Sequence, residues 1–240
     1  MNPLFRIFLN HVRAIGCGAL LLVNTCVQGQ PAVSSIRILP VFQSQKLELN
    51  DKFYPLENGD SIQFETLRFY ISDIRFYQKN NLVFREKNSY HLVDASLDSS
   101  LIINVNTNEE LAFNSVRFYI GIDSTTNMSG ALGGDLDPTK GMYWAWQSGY
   151  INFKLEGKSN RCKTRNNEFM FHLGGYAAPF NSIQEVSIPI RHTDVIQIAL
   201  ELDSFLSQIN LATENSVMIP GAQAMRLSAL LVNLFHVRGL

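Results

Sequence analysis

The chain has 240 residues, 46% of them hydrophobic and 17% charged, with a formal net charge of -1. Sixteen phenylalanines supply material for a large core, which excludes a disordered chain. Near-neutral charge without a basic run argues against nucleic acid as a partner, and three cysteines cannot build a disulfide scaffold.

Residues 1–29 read as a secretion signal. Arg6 and Arg13 flank the start of an apolar run, residues 14–27, that is too short to span a bilayer. Val27 and Gly29 are compact residues suited to cleavage after Gly29. Cleavage removes Cys17, Cys26, His11 and two arginines, leaving 18 basic and 21 acidic residues, a net charge of -3 and Cys162 alone. The expectation is an exported single domain, residues 30–240, in the periplasm or at the cell surface, with no transmembrane segment in the mature chain.

Strand patterns follow at residues 34–42, 67–77 (LRFYISDIRFY), 113–122, 150–155, 168–173, 186–190 and 195–202. Turn clusters such as Glu57-Asn58-Gly59-Asp60 separate them. Many short strands with such punctuation predict a mainly β domain, an antiparallel β-sandwich of about eight to ten strands. Residues 203–210 predict one or two helical turns capped by Asp203. Leu227, Leu230, Leu231, Leu234 and Phe235 recur at helical spacing, so residues 223–237 predict a C-terminal helix closing one end of the sandwich.

The segment 135–157 (DLDPTKGMYWAWQSGYINFKLEG) holds both tryptophans. It reads as a loop crossing the end of the sandwich before a strand begins at Tyr150. If that approach is extended, Trp144 and Trp146 point the same way. Residue type alone also allows a structural aromatic plug. Asp123, Asp135, Asp137 and Asn127 offer hard oxygens for calcium, but their spacing matches no calcium loop, and turn formation is the favoured reading. Asp73, Asp94 and Glu156 sit at or in strands, placed to anchor loops or to back an imidazole. Asn127-Met128-Ser129 has the form of a glycosylation acceptor. Neither a phosphate loop, a dinucleotide fingerprint nor a nucleophile elbow is present, so catalysis is not expected.

One set of motifs runs through Phe69-Tyr70-Ile71-Ser72-Asp73-Ile74, Tyr90-His91-Leu92-Val93-Asp94 and Ile120-Gly121-Ile122-Asp123-Ser124. It continues through Leu136-Asp137-Pro138, Gly141-Met142-Tyr143-Trp144-Ala145-Trp146, Gly149-Tyr150-Ile151, Lys154-Leu155-Glu156-Gly157 and Phe171-His172-Leu173-Gly174-Gly175-Tyr176. On these motifs the chain resembles the MbnP-like family of exported copper-binding proteins. Phe235-His236 looks like a worn form of the family's C-terminal histidine motif. The resemblance implies copper held outside the cytoplasm, and a di-haem peroxidase-like partner that oxidises a tryptophan to kynurenine. In some relatives the kynurenine lies two residues before the first histidine ligand. Ser89 occupies that position here, so a modified tryptophan would have to be Trp144 or Trp146.

On this reading His91 and His172 are the leading ligands and His236 a third. Met170 shares the face of His172 by the period of a strand, and a thioether beside an imidazole favours Cu(I). His192 sits in a polar turn and reads as solvated. The alternative is a structural or ligand-binding β-sandwich without metal, its histidines capping strand ends.

Overall fold

The computed structural model describes residues 35–57, 59–105, 107, 112–146, 149–191 and 193–238. The expected signal peptide, residues 1–29, and His192 lie outside the described residues.

The chain enters through β1 (Ser35–Phe42), β2 (Gln45–Lys46) and β3 (Phe53–Pro55), then runs the eighteen residues of β4 (Ser61–Gln78). Next come β5 (Asn81–Arg85), β6 (Tyr90–Asp94), β7 (Ile102–Asn104) and β8 (Ser115–Ile120). A short helix, α1 (Ser124–Met128), leads to the aromatic segment, β9 (Tyr143–Trp144), β10 (Gly149–Ser159) and β11 (Glu168–Gly174). The last elements are β12 (Gln184–Pro189), β13 (Val195–Glu201), α2 (Asp203–Leu206), β14 (Ser216–Val217), α3 (Ala222–Leu230) and β15 (Phe235–Val237).

These strands form two sheets. The larger has the order β12-β8-β4-β10-β11-β14, with β3, β5 and β6 also on β4 and β9 on β10. The smaller has the order β15-β13-β1-β2, with β7 on β1. Phe235 of the smaller sheet packs edge-on against Phe69 and Phe118 of the larger, at 5.9 and 5.6 Å between ring centroids. Aromatic and branched side chains from both sheets fill this space, the arrangement of a sandwich.

β4 is the spine of the larger sheet, and its sequence explains its length, having neither Gly nor Pro. Leu67, Phe69 and Ile71 face the inner core, and then Asp73 adopts φ 51° where the pairing with β8 slips between Ser72 and Arg75. The bulge resets the alternation, so Ile74 and Phe76 face inward after it. On the opposite face Tyr70 is also fully buried, in a second core with Leu92, Met142, Trp144 and Tyr150. That second core is what the aromatic segment covers.

β6 has no strand on its outer edge among the described residues, and side chains and a turn occupy its outward N–H groups instead. Leu92 N donates to Asp135 Oδ2, Asp94 N to Ser100 Oγ, and Tyr90 N to the Asn88 carbonyl. An edge satisfied in this way is closed to further strand pairing.

The sequence expectation of a mainly β sandwich holds, with three corrections. First, the pairing is mixed rather than antiparallel throughout: β1 and β13 run parallel from Ser35↔Val195 to Val41↔Glu201, and β11 pairs β14 in parallel. Nearly the whole domain lies between β1 and β13, which gives the long crossover that parallel pairing demands. Second, the C-terminal helix stops at Leu230, turns through residues 231–234, and becomes β15. Phe235, His236 and Val237 instead take up the edge of β13, where pairing and burial of Phe235 outweigh the helical period. Third, Leu202 rather than Asp203 caps α2, and the Asp203 carboxylate accepts the Gln43 N–H in the turn after β1.

Candidate functional site at the aromatic end

The aromatic segment begins with two tight 3-10 turns. Asp137 caps the second, accepting from Thr139 N and Thr139 Oγ1 at 2.8 Å each, and Gly141 ends it with φ 72°. Two tyrosines from the sheet beneath hold the segment down. Tyr70 donates to the Asp135 carbonyl at 3.1 Å and Tyr150 to the Leu136 carbonyl at 3.0 Å. Burial raises the pKa of both phenols, so they stay protonated and can donate.

From Gly141 the chain enters β9, which pairs Tyr143 with Tyr150 and Trp144 with Gly149. Trp144 packs against β11 at Gly174. A Cβ at that glycine would stand 2.7 Å from Trp144 Cζ3 and 2.7 Å from the Tyr150 carbonyl, so only glycine admits the indole. Extension ends at Trp144. Trp144 is therefore buried while Trp146 is 63% exposed, although their rings remain adjacent at 6.0 Å between centroids. The expectation that both point the same way fails because the strand lasts only two residues.

Register across the larger sheet then fixes the histidine. Asp94, Arg68, Lys154 and His172 form one row across β6, β4, β10 and β11, on the face that carries Gly174. The stem of the aromatic segment bridges this row: Arg68 Nη1 donates to the Lys140 carbonyl and Lys154 Nζ to the Gly141 carbonyl. His172 is buried, and its Nε2 lies 2.6 Å from Glu156 Oε1. Hydrogen bonding from His172, helped by Thr66 and by Lys154 at 3.5 Å, lowers the Glu156 carboxyl to about 2. An ionised carboxylate can only accept, so Nε2 carries the proton and, in the neutral ring, Nδ1 keeps the free lone pair. Met170 projects on the same face, two residues away, as its spacing predicts.

The other histidines lie elsewhere. His91 sits opposite Ile71 on β6, on the reverse face from the Arg68 row. Three strand steps separate β6 from β11, roughly 14 Å at about 4.8 Å per step. The His91 ring is held by Glu86 at 2.8 Å, and Ser89 bonds the same carboxylate oxygen. His236 belongs to the smaller sheet, on β15 rather than on a helix, 3.2 Å from Glu201. The structure therefore gives three separate imidazole–glutamate pairs and does not bring His91, His172 and His236 together. Among the described residues no three His, Cys, Asp or Glu side chains approach closely enough to hold one ion.

The remaining sequence candidates resolve in structural terms. Asp123 caps α1 and accepts from Tyr90 Oη at 2.8 Å, and these bonds with Thr126 hold its carboxyl below the usual range. Asp135 takes the Leu92 N–H and the Lys140 ammonium. Asn127 is buried, donating to the Ile122 carbonyl and accepting from Tyr150 N, which closes it to glycosylation. Asp73 pairs with Arg75 and Arg85, and Asp94 with Arg68. Cys162 is buried, and burial pushes its thiol pKa up, away from reactivity. Glu86, Glu201 and Thr66 carry no signal in the sequence, because partners brought together by folding leave no local spacing. Gly174-Gly175 beside His172 was a usable signal of close approach.

No helix among the described residues is long and apolar enough to cross a membrane. The chain matches the family model for MbnP over residues 31–219. It also resembles the solved structure of MbnP from Methylosinus trichosporium, with a TM-score of 0.54 at 12% identity, covering 79% of this chain and 81% of the other. At that identity the structural likeness speaks for the fold. No curated protein sequence matches.

Proposed function

The chain belongs to the MbnP family, and on that premise we propose that it is an exported copper-handling protein whose copper site is built on His172. Copper is the cargo of such a protein and not a cofactor for a reaction. The observation that carries the reading is a buried imidazole with its Nε2 proton committed to Glu156, beneath a segment of the family's aromatic pattern. A carboxylate behind an imidazole fixes its tautomer and raises its basicity as a ligand. Met170 on the same face adds a thioether, and a nitrogen–sulfur pair suits Cu(I) better than harder divalent ions. His91 and His236, each tied to its own glutamate, stand outside this site. The match to the family begins at residue 31, just past the expected cleavage site, which supports export to the periplasm or cell surface.

Anaerobic Cu(I) titration against a competing chelator tests this. One equivalent should bind to the purified protein, His172→Ala should abolish it, Met170→Leu should weaken it, and His236→Ala should leave it intact. Failure to bind would replace the copper reading by a sandwich without metal, and binding unchanged in His172→Ala would move the copper off His172. A di-haem peroxidase-like partner would meet Trp146 first, since Trp144 lies buried behind it. Peptide mass spectrometry of protein from its native source decides that step: unmodified Trp144 and Trp146 remove the partner from the proposal and leave copper binding standing.

A further inference from the structure

Beyond the bulge at Asp73, the outer face of the larger sheet carries a row of like charge. Phe76 of β4 and Val116 and Phe118 of β8 face the core, so Arg75, Tyr77, Arg117 and Tyr119 face outward. Register sets Arg85 of β5, Arg75 of β4 and Arg117 of β8 opposite one another, with Ser187 of β12 ending the row. Tyr77 lies in the next row on one side, between Leu82 and Ser115. Tyr119 lies in the row on the other side, opposite Glu185.

Like charges directly opposite one another destabilise a sheet. Two of these three guanidiniums are offset: Arg75 pairs with Asp73 and Glu185, and Arg85 with Asp73. Arg117 has no carboxylate or hydrogen-bond partner among the described residues. It stacks on Tyr77 instead, 4.2 Å from the ring centroid, as Arg75 does on Tyr119 at 5.0 Å. Arg117 Nε is sealed from water without an acceptor, so the guanidinium has lost hydration that nothing in the fold returns. A local rule broken without return inside the fold points to a site.

We propose that this face docks an acidic segment of a partner protein, one carboxylate of which pairs with Arg117. Charge selects the partner: the row sets three guanidiniums against two carboxylates, on a domain whose residues 30–240 carry a net charge of -3. An arginine fork matches a carboxylate bidentately, and the stack on Tyr77 already fixes the side chain, which lowers the entropy lost on binding. β8 is paired on both sides, by β4 and β12, so its backbone offers no nest of free N–H groups for a lone oxyanion. One spare guanidinium is too few for a phosphate polymer or an anionic bilayer, which bind through several. Arginine and tyrosine dominate interface centres, and Leu82, 51% exposed, extends the apolar contact beside Tyr77. This inference does not depend on copper.

Titration of the purified protein with hexaglutamate, followed by heteronuclear NMR, tests it. The Arg117 Nε–H, sealed from water, and the Tyr77 ring signals should shift together and saturate. Arg117→Gln should weaken the binding about fivefold, the upper end for a half-exposed ion pair. Arg37→Gln, the same charge change at an exposed position of β1 in the smaller sheet, should leave it intact. Should Arg117→Gln not fold, Arg117→Lys carries the test, because it keeps the charge but loses the fork and should also bind more weakly. Absence of a shift at Arg117 and Tyr77, or equal weakening by Arg37→Gln, would overturn the proposal. So would the same shifts with inorganic phosphate alone or with phosphatidylserine vesicles, which would make the row a site for a free oxyanion or a membrane.

Discussion

His172 and His236 make the same contact, an imidazole Nε2 against a glutamate, in two different regions. The His172 side chain is 8% exposed, and its partner is also held by Thr66 and Lys154. His236 and Glu201 are each 46% exposed, on the outer surface of the smaller sheet. Water competes for both partners of the second pair and screens their attraction, whereas the first, at 8% and 24% exposed, is largely withdrawn from water. A histidine next to a carboxylate is therefore not a site in itself. What covers the pair decides how much it contributes and whether its free nitrogen is held in a defined place.

The strongest way to break the comparison is to remove the cover. Gly174→Ala sets a methyl group against both Trp144 and the Tyr150 carbonyl, which cannot yield together. We expect a loss of about 1–3 kcal/mol in chemical denaturation, as for other overpacked sites. Emission from the two tryptophans should also change as Trp144 is lifted from β11. Wild-type stability in that variant would mean that the indole does not depend on this seat.

Exchanging the histidines sharpens the comparison next. His172→Ala leaves the Glu156 carboxylate without its main partner and should cost about 1–3 kcal/mol. His236→Ala removes a half-exposed contact and should cost about 0.5 kcal/mol or less. Equal losses, measured by urea denaturation, would show that burial does not separate the two pairs.

The sequence revealed the frame of the buried region better than its chemistry. The alternation in LRFYISDIRFY marked β4, though not the bulge at Asp73 that lets one strand bury Tyr70 on one side and Ile74 on the other. Met170 sharing a face with His172 follows from period two alone, and the strand position of Glu156 suits it to back an imidazole. The distance between His91 and His172 was not legible, because it depends on which strands intervene: β4 and β10 stand between β6 and β11. For His236 the helical spacing of leucines misled, since an open strand edge captured the last three residues of that pattern.

Acid titration gives a smaller effect with a fixed sign. The Glu156 carboxyl falls from its ordinary 4.5 to about 2 in the folded chain. Its stabilising contribution is thus complete above the unfolded value and is lost as pH falls from about 4.5 through about 2. The stability gap between wild type and Glu156→Gln should narrow as pH is stepped down across that window. A gap that stays constant would place the carboxyl near its ordinary value.

The least effect is expected from salt on the exposed pair. At an ionic strength of about 1 M the screening length shrinks to about 3 Å, comparable to the 3.2 Å between His236 and Glu201. A contact already half in water has little left to lose, so the wild type and His236→Ala should respond to salt almost identically in urea denaturation. The His172→Ala difference should persist better in salt, because His172 and Glu156 are 8% and 24% exposed and their contact is screened less. If salt erased the His172 difference and spared that of His236, the assignment of covered and open regions would be reversed. The combination of a salt-insensitive His172 and a dispensable His236 would tie the contrast to solvent access, since the two pairs share their chemistry.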